Sequence, residues 1–282
     1  MPYHIRSTDE FVEAWTSWHV NFSAHSTNTK EDDQYRKELR DGIQHLAAGV
    51  GLNATYTCQE WPRNRDVENL LLYNPRISSE DFGNRQCLRF EKRTAAKLQP
   101  CPQLPDAYVR YEVSKQIVPF KGDTLAECAP VACQKIDLQD PGRLWKVLKG
   151  ANWHTSERGS NGAELKVDLV VWAPEKVNLV GRIKTILDGF LSSLHHRSES
   201  DHDLEDVVER LVMKYRWQDR QEVRRLLIQN EYAVLGKCHT PKCHIRSKPG
   251  SLMWSPDDHR LSHCQVVYET SPDWRIEGRL FL

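Results

Sequence analysis

The chain has 282 residues, 39% hydrophobic and 28% charged, with 39 Lys plus Arg against 39 Asp plus Glu. That much apolar sequence excludes a chain disordered throughout. The zero formal charge excludes a polybasic protein held on nucleic acid by bulk charge.

Met1-Pro2-Tyr3-His4 has no apolar run behind it, and the apolar stretch Leu169-Val170-Val171-Trp172 is far too short to span a bilayer. The expectation is a cytoplasmic protein with no membrane segment. Its 8 cysteines are then expected as thiols or metal ligands, not as a disulfide framework.

In chain order, Ser7-Thr8-Asp9-Glu10 has the form of a capping box, and Phe11, Val12, Trp15 and Trp18 behind it share one helical face. Leu39, Ile43 and Leu46 predict a second helix over about 35–48, stopped at Gly49. Alternation from Leu52 to Trp61 predicts a strand. It is followed by a turn at 62–65, then Asp66-Val67-Glu68-Asn69 and the apolar Leu70-Leu71-Leu72-Tyr73. Leu88–Glu91 and Tyr108–Val113 are further strand candidates. The stretch 99–132 is Pro- and Cys-rich, 137–142 is polar, and a loop by composition at 151–162 suggests a boundary between subdomains 1–150 and 151–282.

Leu165, Val167, Leu169 and Val171 alternate as a strand that leads through Ala173-Pro174-Glu175 into a helix over about 178–194. The segment 204–217 suits a helix or a strand, a helix opens at Asp219, and from Lys237 the tail reads as turns rich in Cys and His. The fold class expected is mixed α/β, a mixed sheet with helices mainly on one face, in one or two subdomains. Walker, Gly-x-Gly-x-x-Gly, Gly-x-Ser-x-Gly and His-Glu-x-x-His motifs are absent from the sequence. The 9 tryptophans are expected mostly as core.

Two constellations carry chemistry. On the polar side of the 178–194 helix, Lys184 and Asp188 stand one turn apart, and a dense acidic and histidine stretch, 195–206, follows. Carboxylates near a helix end suit Mg²⁺, which prefers oxygen ligands, and a lysine beside them adds a compact positive charge. The plainer reading is a surface i,i+4 pair, with Glu205 and Asp206 opening the next helix.

The order strand, Asn178, Lys184, Leu187-Asp188-Gly189, Glu205-Asp206 and Lys214 resembles the layout of RusA-type Holliday-junction resolvases over about 165–217. The resemblance implies a Mg²⁺-dependent cut in branched DNA by a dimer, with Lys184 and Asp188 catalytic and Asp188, Glu205 and Asp206 among the metal ligands. The family's Asp-x-Asp-Asn is here Glu175-Lys176-Val177-Asn178, with Val177 in place of the second aspartate. An acidic pair does occur as Asp66 and Glu68 in the N-terminal half, so either the site is shared between halves or only the fold remains.

The second constellation is Cys238, Cys243, His259 and His263, with Cys264 adjacent, which resembles a Cys₂His₂ zinc finger in outline. Its central spacer is longer than the finger pattern, and Pro256-Asp257-Asp258 falls where the finger helix begins; a loop with incidental Cys and His is the plainer reading. Three functions follow: a metal-dependent nuclease of structured nucleic acid, an accessory or interaction protein without a working site, and a zinc-stabilised binding module.

Overall fold

The computed structural model describes residues 3–16, 30–59, 66–73, 75–95, 107–157, 159–160, 162–243, 251–256 and 258–282. Trp18, the 62–65 turn, His244 and Asp257 lie outside the described residues.

The N-terminal half supplies β1 (Tyr3–Ser7), β2 (Phe11–Thr16), α1 (Lys30–Gln44), β3 (Gly51–Cys58), a π-helical turn Asn69–Tyr73 and α2 (Ser79–Phe82). It continues with β4 (Cys87–Thr94), β5 (Ala107–Ser114), β6 (Thr124–Ala132), a 3₁₀ turn Asp137–Gln139 and α3 (Pro141–Lys149). Then come β7 (Trp153–Thr155), β8 (Leu165–Ala173), α4 (Leu179–Ser193), α5 (Leu204–Tyr215) and α6 (Arg220–Ile228), with two-residue strands β9 (His195–His196) and β10 (Gly236–Lys237) pairing beside them. The chain closes through short β11 (Lys242–Cys243) and β12 (Leu252–Met253) to the long strands β13 (Leu261–Thr270) and β14 (Arg275–Phe281).

Ten strands form one mixed sheet in the order β1-β2-β5-β3-β4-β13-β8-β14-β6-β7, with β3/β4 and β8/β13 as its parallel pairs. Its register explains why the helices share a face. Val12, Tyr111, Ala54, Phe90, Cys264, Val167 and Leu280 stand in one row across seven strands, all on the same side. Gly42 of α1 closes on Val12, the hydroxyl of Tyr111 donates to the Leu71 carbonyl at 2.7 Å, and Phe190 of α4 closes on Leu169 of the same face. Helices therefore cover that side. The other side presents Glu13, Arg110, Thr55, Glu91, His263 and Lys166 in the adjacent row. The expected mixed α/β sheet with helices mainly on one face is what forms.

Phe190 can lie against the sheet because Gly278 has no side chain there; a Cβ at Gly278 would meet the Phe190 ring and Leu169. A smaller core forms apart from the main one, where Trp145, Leu211, Tyr215, Val223 and Trp254 join α5 and α6 to α3. Trp15, Trp145, Trp153 and Trp254 are all buried, as expected of core tryptophans.

Two expectations are corrected and two open segments are decided. Residues 7–16 make a hairpin, not a capped helix. Thr8 Oγ1 accepts from the Glu10 and Phe11 amides and closes a turn, while Val12 and Ala14 pair into the sheet. Residues 204–215, which suit a helix or a strand by sequence, are helix. The tail is not mainly turns: β13 is a central strand, apolar on both faces near Val266-Val267, which hides its alternation. Polar 137–142 opens α3, with Asp140 accepting from the Gly142 amide as its cap. Because β13 inserts between β4 and β8, the sheet is continuous across the 151–162 boundary.

Candidate functional site

Asp66 and Glu68 lie at the entry to the π-helical turn, on the helical side of the sheet. Leu70, Leu71 and Leu72 are buried in the core, and the Tyr111 hydroxyl holds the Leu71 carbonyl from beneath, so hydrophobic burial fixes where these acids project. The Asn69 amide donates to Asp66 Oδ2 at 2.7 Å. On the other side, Asn178 caps α4 by accepting from the Gly181 amide at 3.0 Å, and Ile183, Ile186 and Leu187 bury the helix against the sheet. That burial leaves Lys184 and Asp188 on the flank facing the π-helical turn.

The Lys184 ammonium lies 3.2 Å from Glu68 Oε1, 3.4 Å from Asp188 Oδ1 and 3.7 Å from Asp66 Oδ2. The side chains are 1% exposed for Glu68, 9% for Asp188, 17% for Asp66 and 35% for Lys184, so solvent reaches the cluster through the lysine. Tyr73 sits beside it. Burial, then the charges of Glu68 and Asp188, push its phenol pKa up. Cys264, in the sheet row beneath, is inert, its thiol pushed well up by burial and by the charges of Glu68 and Asp168.

Four of the residues singled out in the sequence thus meet, and they come from both halves of the chain. The other two do not. Glu205 and Asp206 are exposed on the first turn of α5, whose apolar side packs into the smaller core with Trp145 and Trp254. Glu205 accepts from Arg220 at 2.9 Å and Arg224 at 3.0 Å, and these hydrogen bonds pull its carboxyl below the usual range. Within the acidic stretch, Asp201 and Asp203 both pair with the fully buried Arg197, whose guanidinium also donates to the Pro241 carbonyl. Those acids hold a buried arginine in place.

As a metal centre the Lys184 cluster is an imperfect fit. Its oxygens have the hardness that Mg²⁺ selects. Yet among the described residues no group of three or more His, Cys, Asp or Glu is placed to hold a metal ion, and the ammonium stands at the point the three carboxylates share.

The same finding applies to the zinc expectation. His263 and Cys264 are successive residues of β13 and so point to opposite faces of the sheet. His263 Nε2 pairs with Glu91 at 3.0 Å on the open face. His259 is exposed in a 3₁₀ turn, Cys238 extends the β9–β10 ladder by donating its amide to the His196 carbonyl, and Cys243 lies against the α5–α6 core. The seven cysteines among the described residues are all unbridged.

The open sheet face carries a second polar row that the sequence reading missed. Glu127, Arg279, Asp168, Gln265 and Arg89 stand side by side across β6, β14, β8, β13 and β4. Gln265 Nε2 donates to Asp168 Oδ1 at 3.1 Å, and burial pushes the Asp168 carboxyl up against the opposing influence of Gln265, Arg279 and Arg89. Glu277 is raised as well, by burial and by the charges of Glu127 and Asp168, while Arg279 reaches both glutamates. Glu91 goes the other way. Burial would raise it, but hydrogen bonds from His263 and Arg93 hold its carboxyl at about 2. The signal was in the sequence as opposite charges two residues apart within strands: Glu91 with Arg93, Arg110 with Glu112, Glu277 with Arg279.

Among the described residues no helix is long and apolar enough to cross a membrane. Comparison with protein-family models, curated proteins and solved structures finds no match to this chain.

Proposed function

We propose that the protein processes nucleic acid by hydrolysing phosphodiester bonds, at the surface formed by Asp66, Glu68, Asp188 and Lys184. The observation that supports this reading is the Lys184 ammonium within 3.7 Å of three carboxylates drawn from segments more than a hundred residues apart. Lys184 is reachable from solvent, and its compact charge suits a phosphate oxygen. The carboxylates supply oxygen donors for Mg²⁺ or Mn²⁺, which enters only where the ammonium yields its place; such an ion would activate water and neutralise developing charge. The chain's own part is positioning. Asp188 and Glu68 orient Lys184, and the buried Leu70–Leu72 run keeps Glu68 rigid. The resemblance of 165–217 to RusA-type resolvases points to branched DNA as the substrate and a dimer as the active form.

The test is cleavage of a panel of junctions, flaps and duplexes with Mg²⁺ or Mn²⁺. Cutting that is lost in Asp188→Asn supports the reading. Intact substrate throughout, with folded protein, overturns it.

A second reading is favoured by one specific observation: the ammonium already occupies the shared point of the three carboxylates. On that reading Lys184 is an electrostatic clasp between the chain's halves, and the protein is an accessory or interaction protein without a working site. The same panel decides between them.

A further inference from the structure

A second opening lies at the carboxyl ends of the parallel neighbours β8 and β13, and it does not depend on the Lys184 cluster. The loop that leaves β8 contributes Lys176 and Val177, the turn that leaves β13 contributes Trp274, and the start of α4 contributes Arg182. Together with Lys135 and Leu138 they line a cavity of ≈ 230 Å³. The loop that leaves β8 and the turn that joins β13 to β14 thus enclose a concave opening of the kind small ligands occupy.

The lining has a definite chemistry. Three cations, Lys135, Lys176 and Arg182, face it with one carboxylate, Glu175. Lys135 is paired with Glu175, and Lys176 donates to the Gly83 carbonyl at 2.7 Å and to Asn84 Oδ1 at 2.8 Å. The Arg182 guanidinium makes no ion pair or hydrogen bond among the described residues, and a planar guanidinium is the side chain best suited to fork onto a phosphate. Leu138, Val177 and the Trp274 indole supply an apolar wall beside the cations. A site that pairs a forked cation with an aromatic wall fits a ligand that is anionic at one end and flat at the other.

We infer that this cavity binds a nucleoside monophosphate group, with Arg182 on the phosphate and Trp274 against the base. The group belongs either to a free mononucleotide or to the phosphorylated end of a strand.

The full chain is titrated by calorimetry with AMP, adenosine and inorganic phosphate, and with one oligonucleotide bearing or lacking a 5′-phosphate. The expected result is that AMP or the phosphorylated strand binds at least about tenfold tighter than adenosine, phosphate or the unphosphorylated strand. Arg182→Met is expected to remove that preference and Arg182→Lys to keep part of it, both with an unchanged melting temperature. Trp274→Leu is expected to weaken AMP but not inorganic phosphate. Binding by AMP alone, or by the strand alone, identifies the source. The inference is overturned if neither phosphorylated probe exceeds its unphosphorylated counterpart, or if folded Arg182→Met binds as the natural protein does.

Discussion

The ammonium of Lys184 rests 3.2 Å from a carboxylate oxygen of Glu68, a residue 116 positions earlier in the chain and almost wholly buried. Neither side chain could find the other without the sheet whose one face carries both of their elements. Glu68 is presented by a π-helical turn sunk into the core through Leu70–Leu72, and Lys184 by a helix whose apolar stripe lies on the same sheet face. Energetically the contact differs from a surface ion pair, because a buried carboxylate that loses its counter-charge remains in a medium that solvates it poorly.

Lys184→Met is therefore expected to destabilise the fold by about 3 kcal/mol, the low end of the range for breaking a buried pair, since this lysine is partly exposed. Urea denaturation measures the loss. If the three carboxylates can accept a divalent ion, Mg²⁺ restores part of the melting temperature in Lys184→Met and does so less in Lys184→Met with Asp188→Asn. A Lys184→Met variant indifferent to Mg²⁺ favours the clasp reading.

Gly278 governs how closely α4 approaches the sheet. Gly278→Ala places a methyl group into Phe190 and Leu169, and overpacking of this kind costs about 1–3 kcal/mol. Adding Phe190→Leu is expected to recover part of the loss, read as a shift of the denaturation midpoint at unchanged slope. Equal midpoints for Gly278→Ala and the natural chain would refute the packing argument.

Lys149 gives the protein a pH dependence on the alkaline side. Its ammonium donates to the His195 carbonyl at 2.7 Å and the Gln229 carbonyl at 3.1 Å, and burial pulls its pKa down to about 8 from 10.5. Between those values the unfolded chain holds the proton that the folded chain has released. The Lys149 contribution to stability is then expected to rise as pH climbs from about 8 toward 10.5, with an upper limit of about 1.4 kcal/mol per pH unit, against the opposite contribution of buried thiols and phenols such as Cys264 and Tyr73, so it is read as the difference between the natural and Lys149→Met profiles. Lys149→Met is expected to be less stable, through the two carbonyls it leaves without their donor, and to lose that rise. Parallel pH profiles for the two proteins would show that Lys149 is not the source.

Sequence periodicity was enough where polar residues interrupt the apolar ones at a regular interval. Leu165–Ala173 and Leu179–Ser193 appear close to their expected bounds, because Lys166 and Asp168 alternate with Leu165, Val167 and Leu169 in the strand, and Arg182 and Lys184 stand off the stripe of Leu179, Ile183 and Leu187 in the helix, although most of both elements is buried. Periodicity failed where both faces are covered. Trp15 and Glu13 are buried on the open face of β2 while Val12 and Ala14 are buried on the other, so the segment imitates a helical stripe. In β13, Val266 and Val267 are buried on opposite faces and erase the alternation that would have announced a strand.

For the candidate site, the residue types of Asp66, Glu68, Lys184 and Asp188 and the Lys184–Asp188 spacing were properties of the sequence alone, since one helical turn dictates that neighbours four apart meet. Which distant acids join them was decided only in three dimensions. Asp66 and Glu68 are carried in by the hydrophobic burial of the leucines that follow them, whereas Glu205 and Asp206, equally acidic and much nearer in sequence, are turned outward by a helix whose apolar side belongs to a different core. Charge supplied the candidates, and the cost of exposing apolar surface chose among them.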